Sequence, residues 1–225
     1  MRIGVEFSKT DMAKYISHLD LQRAFSRAIR RSGLPIKMSE GFNPHYVVSF
    51  ASALALGVES EAECVEMALA EYVKPELFAF ALGNVMPPGI EIKKAVMLKD
   101  KAPKLMAAAM QAEYEVRFKN DVLEMLNSAV CDIMSQSSIL AVKKAKGKEK
   151  QFDMRPMILS LDVKGETLVM RLASAPSGSL KPEFVIGELE KRVGGLDCSI
   201  KRTGLYALEN GQPVSLLEFC AEDEV

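Results

Sequence analysis

Tryptophan is absent, histidine occurs twice and cysteine four times in 225 residues. The cysteines (Cys64, Cys131, Cys198 and Cys220) form no CxxC pair, which argues against a zinc site and against a disulfide framework. No three of them are spaced CxxxCxxC, so the chain lacks the ligands for an iron–sulfur cluster of that kind. A GxxxxGK(S/T) phosphate loop, a GxGxxG fingerprint and a GxSxG nucleophile elbow are all missing. No metal and no cofactor of its own is expected. The longest mostly apolar run, Tyr46 to Val58, falls short of the roughly 20 residues that span a bilayer. Strand-like alternation begins at Ile3, where a leader would carry its apolar stretch, so a cytoplasmic protein without membrane contact is expected.

What is present is an ordinary globular composition, 48% hydrophobic and 26% charged. The net charge of −1 conceals a separation of sign. Between Leu21 and Met38 stand Arg23, Arg27, Arg30, Arg31 and Lys37 with no acid among them. Between Glu59 and Glu71 stand Glu59, Glu61, Glu63, Glu66 and Glu71 with no base. For an anionic partner a basic face matters more than the total.

The chain also repeats itself. Ile3, Val5 and Phe7 alternate with polar or small residues, the period of a strand with one buried face, and Tyr114, Val116 and Phe118 do the same 111 positions later. Helical stretches follow at Ser17–Arg31 and Asp121–Ser135. Lys74-Pro75-Glu76-Leu77-Phe78 and Lys181-Pro182-Glu183-Phe184 both start a helix with proline in its first turn. After Pro87-Pro88-Gly89 and Gly194-Gly195 come the strands of Ile92-Lys93-Lys94 and Ile200-Lys201-Arg202. A hairpin from Met157 to Ala173, turning at Lys164-Gly165-Glu166, fits between the second pair of helices. The order is β-α-β-β-α-β twice. The expected fold class is α+β, two tandem ferredoxin-like halves with antiparallel sheets. The first spans 1–100, a linker 101–112, and the second 113–225.

Ser17-His18-Leu19-Asp20 opens the first helix, with Ser17 as N-cap and Asp20 as the acid of a capping box. Leu21, Phe25, Ala28 and Ile29 form the buried stripe, and His18 falls at its edge. Arg23, Arg27, Arg30 and Arg31, at i, i+4, i+7 and i+8, lie along the opposite face, where guanidinium groups suit bidentate contact with phosphate or carboxylate. The acids after Glu59 are the alternative partner. Gly41-Phe42-Asn43-Pro44-His45 reads as a turn before a strand, with Gly41, Asn43 and Pro44 as its turn residues. Pro44 has a counterpart in Pro156, preceded by Arg155 and by a basic loop containing Lys143, Lys144, Lys146 and Lys148. This loop is either simply solvated or part of an electropositive surface.

Several of these stretches resemble the radical-SAM-linked family of bacterial accessory proteins. They are Tyr15 to Leu21, Arg30 to Pro35, Ser39 to Pro44, Leu54 to Ser60 and Asp153 to Pro156. The resemblance implies a domain that stands alone or is fused behind a cobalamin-binding radical SAM protein, and hence such a protein as partner. It supplies no site residues. Three functional readings follow. The first is a non-catalytic subunit presenting an anionic substrate, RNA above all, on the basic surface. The second is a metal-independent RNA-processing enzyme using His18 and His45 as base and acid. The third is a protein–protein adaptor.

Overall fold

A computed structural model describes residues 1–119, 122–145 and 148–222. They separate into two compact units, one holding Met1–Met110 and the chain from Arg202 onward, the other Gln111–Lys201. Each is α+β with an antiparallel sheet.

In the first unit β1 (Arg2–Lys9) buries Ile3, Val5 and Phe7, as its alternation requires. α1 (His18–Ser32) covers that face with Leu21, Phe25, Ala28 and Ile29. The Phe7 and Phe25 rings lie 4.9 Å apart, and Phe25 meets Phe50 edge-on at 5.2 Å. Each such side chain contributes roughly 1.5–3 kcal/mol on burial. Gly33 ends the helix in the left-handed conformation at φ 68°, a position suited to glycine. β2 (Val48–Phe50) and β3 (Glu59–Ala68) are antiparallel, and α2 (Pro75–Gly83) buries Phe78 and Leu82 before β4 (Ile90–Leu98). The order β4–β1–β3–β2 puts β1 between its two antiparallel neighbours.

Residues 101–112, expected as a linker, hold secondary structure of their own. They include α3 (Leu105–Ala108), whose Leu105 is fully buried and whose Leu105 N–H donates to Glu66 Oε2 at 2.9 Å. The buried Glu66 carboxylate needs a donor, and this segment supplies it.

In the second unit β5 (Gln111–Phe118) buries Ala112, Tyr114 and Val116. α4 (Leu123–Ser135) follows. The lysine-rich stretch expected to be a loop is instead a hairpin of β6 (Leu140–Ala145) and β7 (Lys148–Asp153), a two-stranded sheet of its own. Cross-strand pairing from Leu140↔Asp153 to Ala145↔Lys148 satisfies its backbone, which charge composition alone does not reveal. β8 (Ile158–Lys164) and β9 (Thr167–Ala175) form the expected hairpin, turning through Gly165 at φ 56°. β10 (Gly178–Ser179) extends β9's edge, α5 (Pro182–Val193) follows, and β11 (Cys198–Glu209) begins in this unit. Here the order is β11–β5–β9–β8.

From Arg202 the chain belongs to the first unit, so the expected second half of 113–225 ends early. β12 (Gln212–Ser215) pairs with β11, and α6 (Leu216–Cys220) buries Leu216, Leu217 and Cys220 completely. Leu217 fits because Gly4 has no side chain: a Cβ there would come within 2.5 Å of Leu217 Cδ1. Glu222 N–H then bonds to Met97 O at 2.9 Å. The apolar burial and the backbone bonds both draw this segment to β1 and β4.

Candidate anion-binding groove on the first unit

Ser17 caps α1 as its position predicts. Its hydroxyl accepts from Asp20 N–H at 3.1 Å and donates to Asp20 Oδ2 at 2.7 Å. The Ser17 hydroxyl, and after it the Arg23 guanidinium at 3.0 Å, hold the Asp20 carboxyl below its ordinary range. Ser17 and Asp20 therefore order the helix start, and Arg23 projects from it one turn on.

Arg23 lines a groove of about 410 Å³ between α1 and the chain entering β2. Leu19, Gln22 and Ser26 line the helix side; His45, Tyr46, Val48 and Phe50 line the other. The two histidines sit differently. His45 is exposed and tied to its own loop, with Nδ1 2.9 Å from Ser39 Oγ and 3.3 Å from Asn43 O. Its backbone N–H donates to Ser39 Oγ at 3.1 Å, and Ser39 N–H to His45 O at 2.7 Å. His18 is half-buried, its ring edge-on to Phe50 at 5.4 Å and its Nε2 3.2 Å from Gln22 Nε2. So His45 lines the groove, while His18 supports two of its wall residues from behind.

The Ser39–His45 clasp closes a loop that carries Gly41, Phe42, Asn43 and Pro44 at its exposed tip. Gly41 has φ 121°, a conformation that L side chains rarely adopt. Phe42 is 106% exposed, a bare aromatic ring three residues before the groove residue His45. Reading the turn as punctuation overlooks it; the signal is an aromatic between Gly41 and Asn43, where a turn needs none. Gln22, Ser26 and Tyr46 were likewise invisible as site residues, since neither spacing nor charge marks them.

The arginine stripe is largely uncommitted. Arg27, Arg30 and Lys37 are exposed and form no side-chain hydrogen bond or ion pair among the described residues, though the charge of Arg27 acts on Asp20. Arg23 has only Asp20, in an exposed pair three residues apart. Arg31 donates to Val85 O at 2.5 Å. The acids of β3 are occupied elsewhere: Glu59 with Lys14 at 2.8 Å, Glu61 with Lys93 at 3.2 Å, Glu66 with Arg2 at 3.3 Å. Glu63 forms a buried pair with Arg202 at 2.8 Å, each side chain 3% exposed. None of these four neutralises the stripe.

On the second unit the sequence's candidates divide. Arg155 is half-buried and donates to the carbonyls of Gln136, Ile158 and Met134 at 3.1, 3.1 and 2.8 Å. Its guanidinium clamps backbone rather than facing an anion. Lys143 is exposed and lines a cavity. Lys146 and the side chains of Lys144 and Lys148 lie outside the described residues. No group of three His, Cys, Asp or Glu capable of holding a metal occurs among the described residues. Among the described residues no helix is long and apolar enough to cross a membrane. Cys64, Cys131, Cys198 and Cys220 are all free, and burial pushes the Cys64 thiol well up.

The family model described as "Uncharacterized protein conserved in bacteria (DUF2344)" matches residues 2–182. No curated protein matches the sequence. A chain of the solved structure described as "Crystal Structure of a Cbf5-Nop10-Gar1 Complex" aligns with 90% of this chain at 11% identity and a TM-score of 0.43. This chain spans about half of that one, 48%.

Proposed function

The chain belongs to the bacterial family DUF2344, and we propose that the basic surface of α1, with the groove that Arg23 lines, holds the phosphate backbone of an RNA as a non-catalytic subunit. The observation that carries this reading is that Arg27, Arg30 and Lys37 stand exposed without a side-chain hydrogen bond or ion pair among the described residues, while the acids of β3 are engaged by other bases. Clustered cations repel one another, and an incoming polyanion relieves that repulsion. Arginine on a helix face presents its donors in a fork that fits phosphate oxygens. Phe42 adds a ring on which one base can stack, a contact that tolerates any sequence. Backbone contact with a single stacking ring favours recognition without sequence reading.

The chemistry on that RNA belongs, in this proposal, to a radical SAM partner in the cytosol. The partner rests on the resemblance of the Ser17-His18-Leu19-Asp20 and Gly41-Phe42-Asn43-Pro44 stretches. The compartment rests on the four free cysteines. The scaffold we propose is a pair of ferredoxin-like repeats. Its support is the β-α-β-β-α-β succession in each unit and the orders β4–β1–β3–β2 and β11–β5–β9–β8.

Fluorescence anisotropy of a labelled single-stranded RNA against salt tests this. Contacts from Arg23, Arg27, Arg30 and Lys37 give a log–log slope of about −3, at roughly 0.7 per contact. Arg27→Gln with Arg30→Gln flattens it by about 1.4. Absence of RNA binding, with a protein co-purifying instead, would mean an adaptor. Cleavage of the RNA that is lost in His18→Ala and His45→Ala would mean an enzyme.

A further inference from the structure

The second unit carries a cavity of about 450 Å³ that shares no residue with the α1 groove. This lies within the range of roughly 300–1,000 Å³ typical of small-molecule sites. Three lysines line it: Lys143 of β6, Lys150 of β7, and Lys181 immediately before α5. Phe152 and Phe184 line it too, with ring centroids 5.4 Å apart and planes at 89°. Ser179 of β10 contributes to the rim.

The register of the β6–β7 hairpin gives the cavity its character. Lys143 stands directly opposite Lys150, and Ala141 directly opposite Phe152. Residues two apart on a strand share a face, so Lys150 and Phe152 lie on one side of β7 with Lys143 across from them. Like charges directly opposed on neighbouring strands destabilise a hairpin. No described carboxylate pairs with Lys143, Lys150 or Lys181. Among the described residues that line the cavity and an adjoining depression of about 390 Å³, the acid is Glu183, which shares the depression with Lys143, Lys181 and Phe184. One carboxylate against three ammonium groups leaves the cavity cationic.

We infer that this cavity binds a nucleotide: the phosphate between Lys143, Lys150 and Lys181, the base against Phe152 and Phe184. An anion without a ring would use the lysines and leave the aromatic wall idle. An uncharged ring would leave the opposed lysines uncompensated. A phosphorylated planar ring satisfies both halves of the lining. The same chemistry is offered by a free nucleotide and by one residue of an RNA strand. The inference does not depend on the α1 groove binding RNA.

The test is titration of the isotope-labelled full chain with adenosine 5′-monophosphate, adenosine, inorganic phosphate and a short oligoadenylate, followed by NMR. The monophosphate is expected to shift Phe152, Phe184 and the Lys143–Lys150 strands, and to bind more tightly than phosphate or adenosine. Lys143→Gln with Lys150→Gln, both exposed, is expected to weaken it at least about tenfold, the scale of one charge-assisted contact. Lys181→Gln, on a different element, serves as a second reading and is expected to weaken it similarly. Phe184→Leu is expected to abolish the advantage of the monophosphate over inorganic phosphate. Oligoadenylate binding tighter per site than the monophosphate identifies a strand as the source; equal or weaker binding identifies the free nucleotide. Equal affinity for phosphate and monophosphate, or shifts confined to residues outside this cavity, overturns the inference.

Discussion

Lys9 follows Ile3, Val5 and Phe7 at the same spacing and is buried with them, only 1% exposed. Its ammonium donates to Ile16 O at 3.0 Å and Lys14 O at 3.5 Å, carbonyls that cap the turn before α1. Burial lowers its pKa, with Glu63 opposing the shift. A base with a depressed folded pKa binds fewer protons folded than unfolded between that pKa and its ordinary value near 10.4. Stability therefore rises with pH across that window, and the charged amine is least favourable below it. Lys9→Met is expected to remove this alkaline rise, visible as the difference between the two proteins' urea midpoints measured from pH 7 to 10. Identical pH profiles for Lys9→Met and the parent protein would show that the buried amine does not titrate in that window.

At the scale of the element, α1 joins fold and candidate site in one segment. One face holds Leu21, Phe25, Ala28 and Ile29 in the core, and the other carries Arg23, Arg27 and Arg30. Its start depends on the Ser17 hydroxyl, which serves both Asp20 N–H and the Asp20 carboxyl that in turn holds Arg23. Ser17→Ala is expected to cost about 1 kcal/mol of stability, read from denaturant unfolding, and to weaken the proposed RNA binding less than Arg27→Gln does. The helix and its cap were legible from periodicity and one serine. The groove was not, because Tyr46, Val48 and Phe50 come to α1 through the Ser39–His45 clasp and the pairing of β2 with β3. The β6–β7 hairpin shows the opposite error. A run of lysines looks like solvated loop until strand pairing occupies its backbone.

At the scale of the whole molecule, the first unit is discontinuous in sequence. Glu63 is buried on β3, and its partner Arg202 arrives 139 residues later, donating also to Ala53 O at 3.2 Å. Removing one member of such a buried pair leaves an uncompensated charge, at a cost of about 3–5 kcal/mol. Loss of Leu216, Leu217 and Cys220 from the outer side of β1 and β4 adds exposed apolar surface. A fragment of residues 1–110 is thus expected to lack a cooperative thermal transition, whereas joining residues 202–222 to it through a short linker restores one. Cooperative unfolding of 1–110 alone would show that the closing segment is dispensable.

Local spacing was enough to specify the alternation of β1 and β5, the caps of α1, the proline starts of α2 and α5, and the turn at Gly165, because each depends on neighbours a few residues away. The destinations of charges were settled only by folding. Glu59, Glu61, Glu63 and Glu66 were equally available to the arginine stripe on paper, yet strand register took them to Lys14, Lys93, Arg202 and Arg2. Coulomb attraction acts through space, and sequence order does not say which charges the chain will bring within 4 Å.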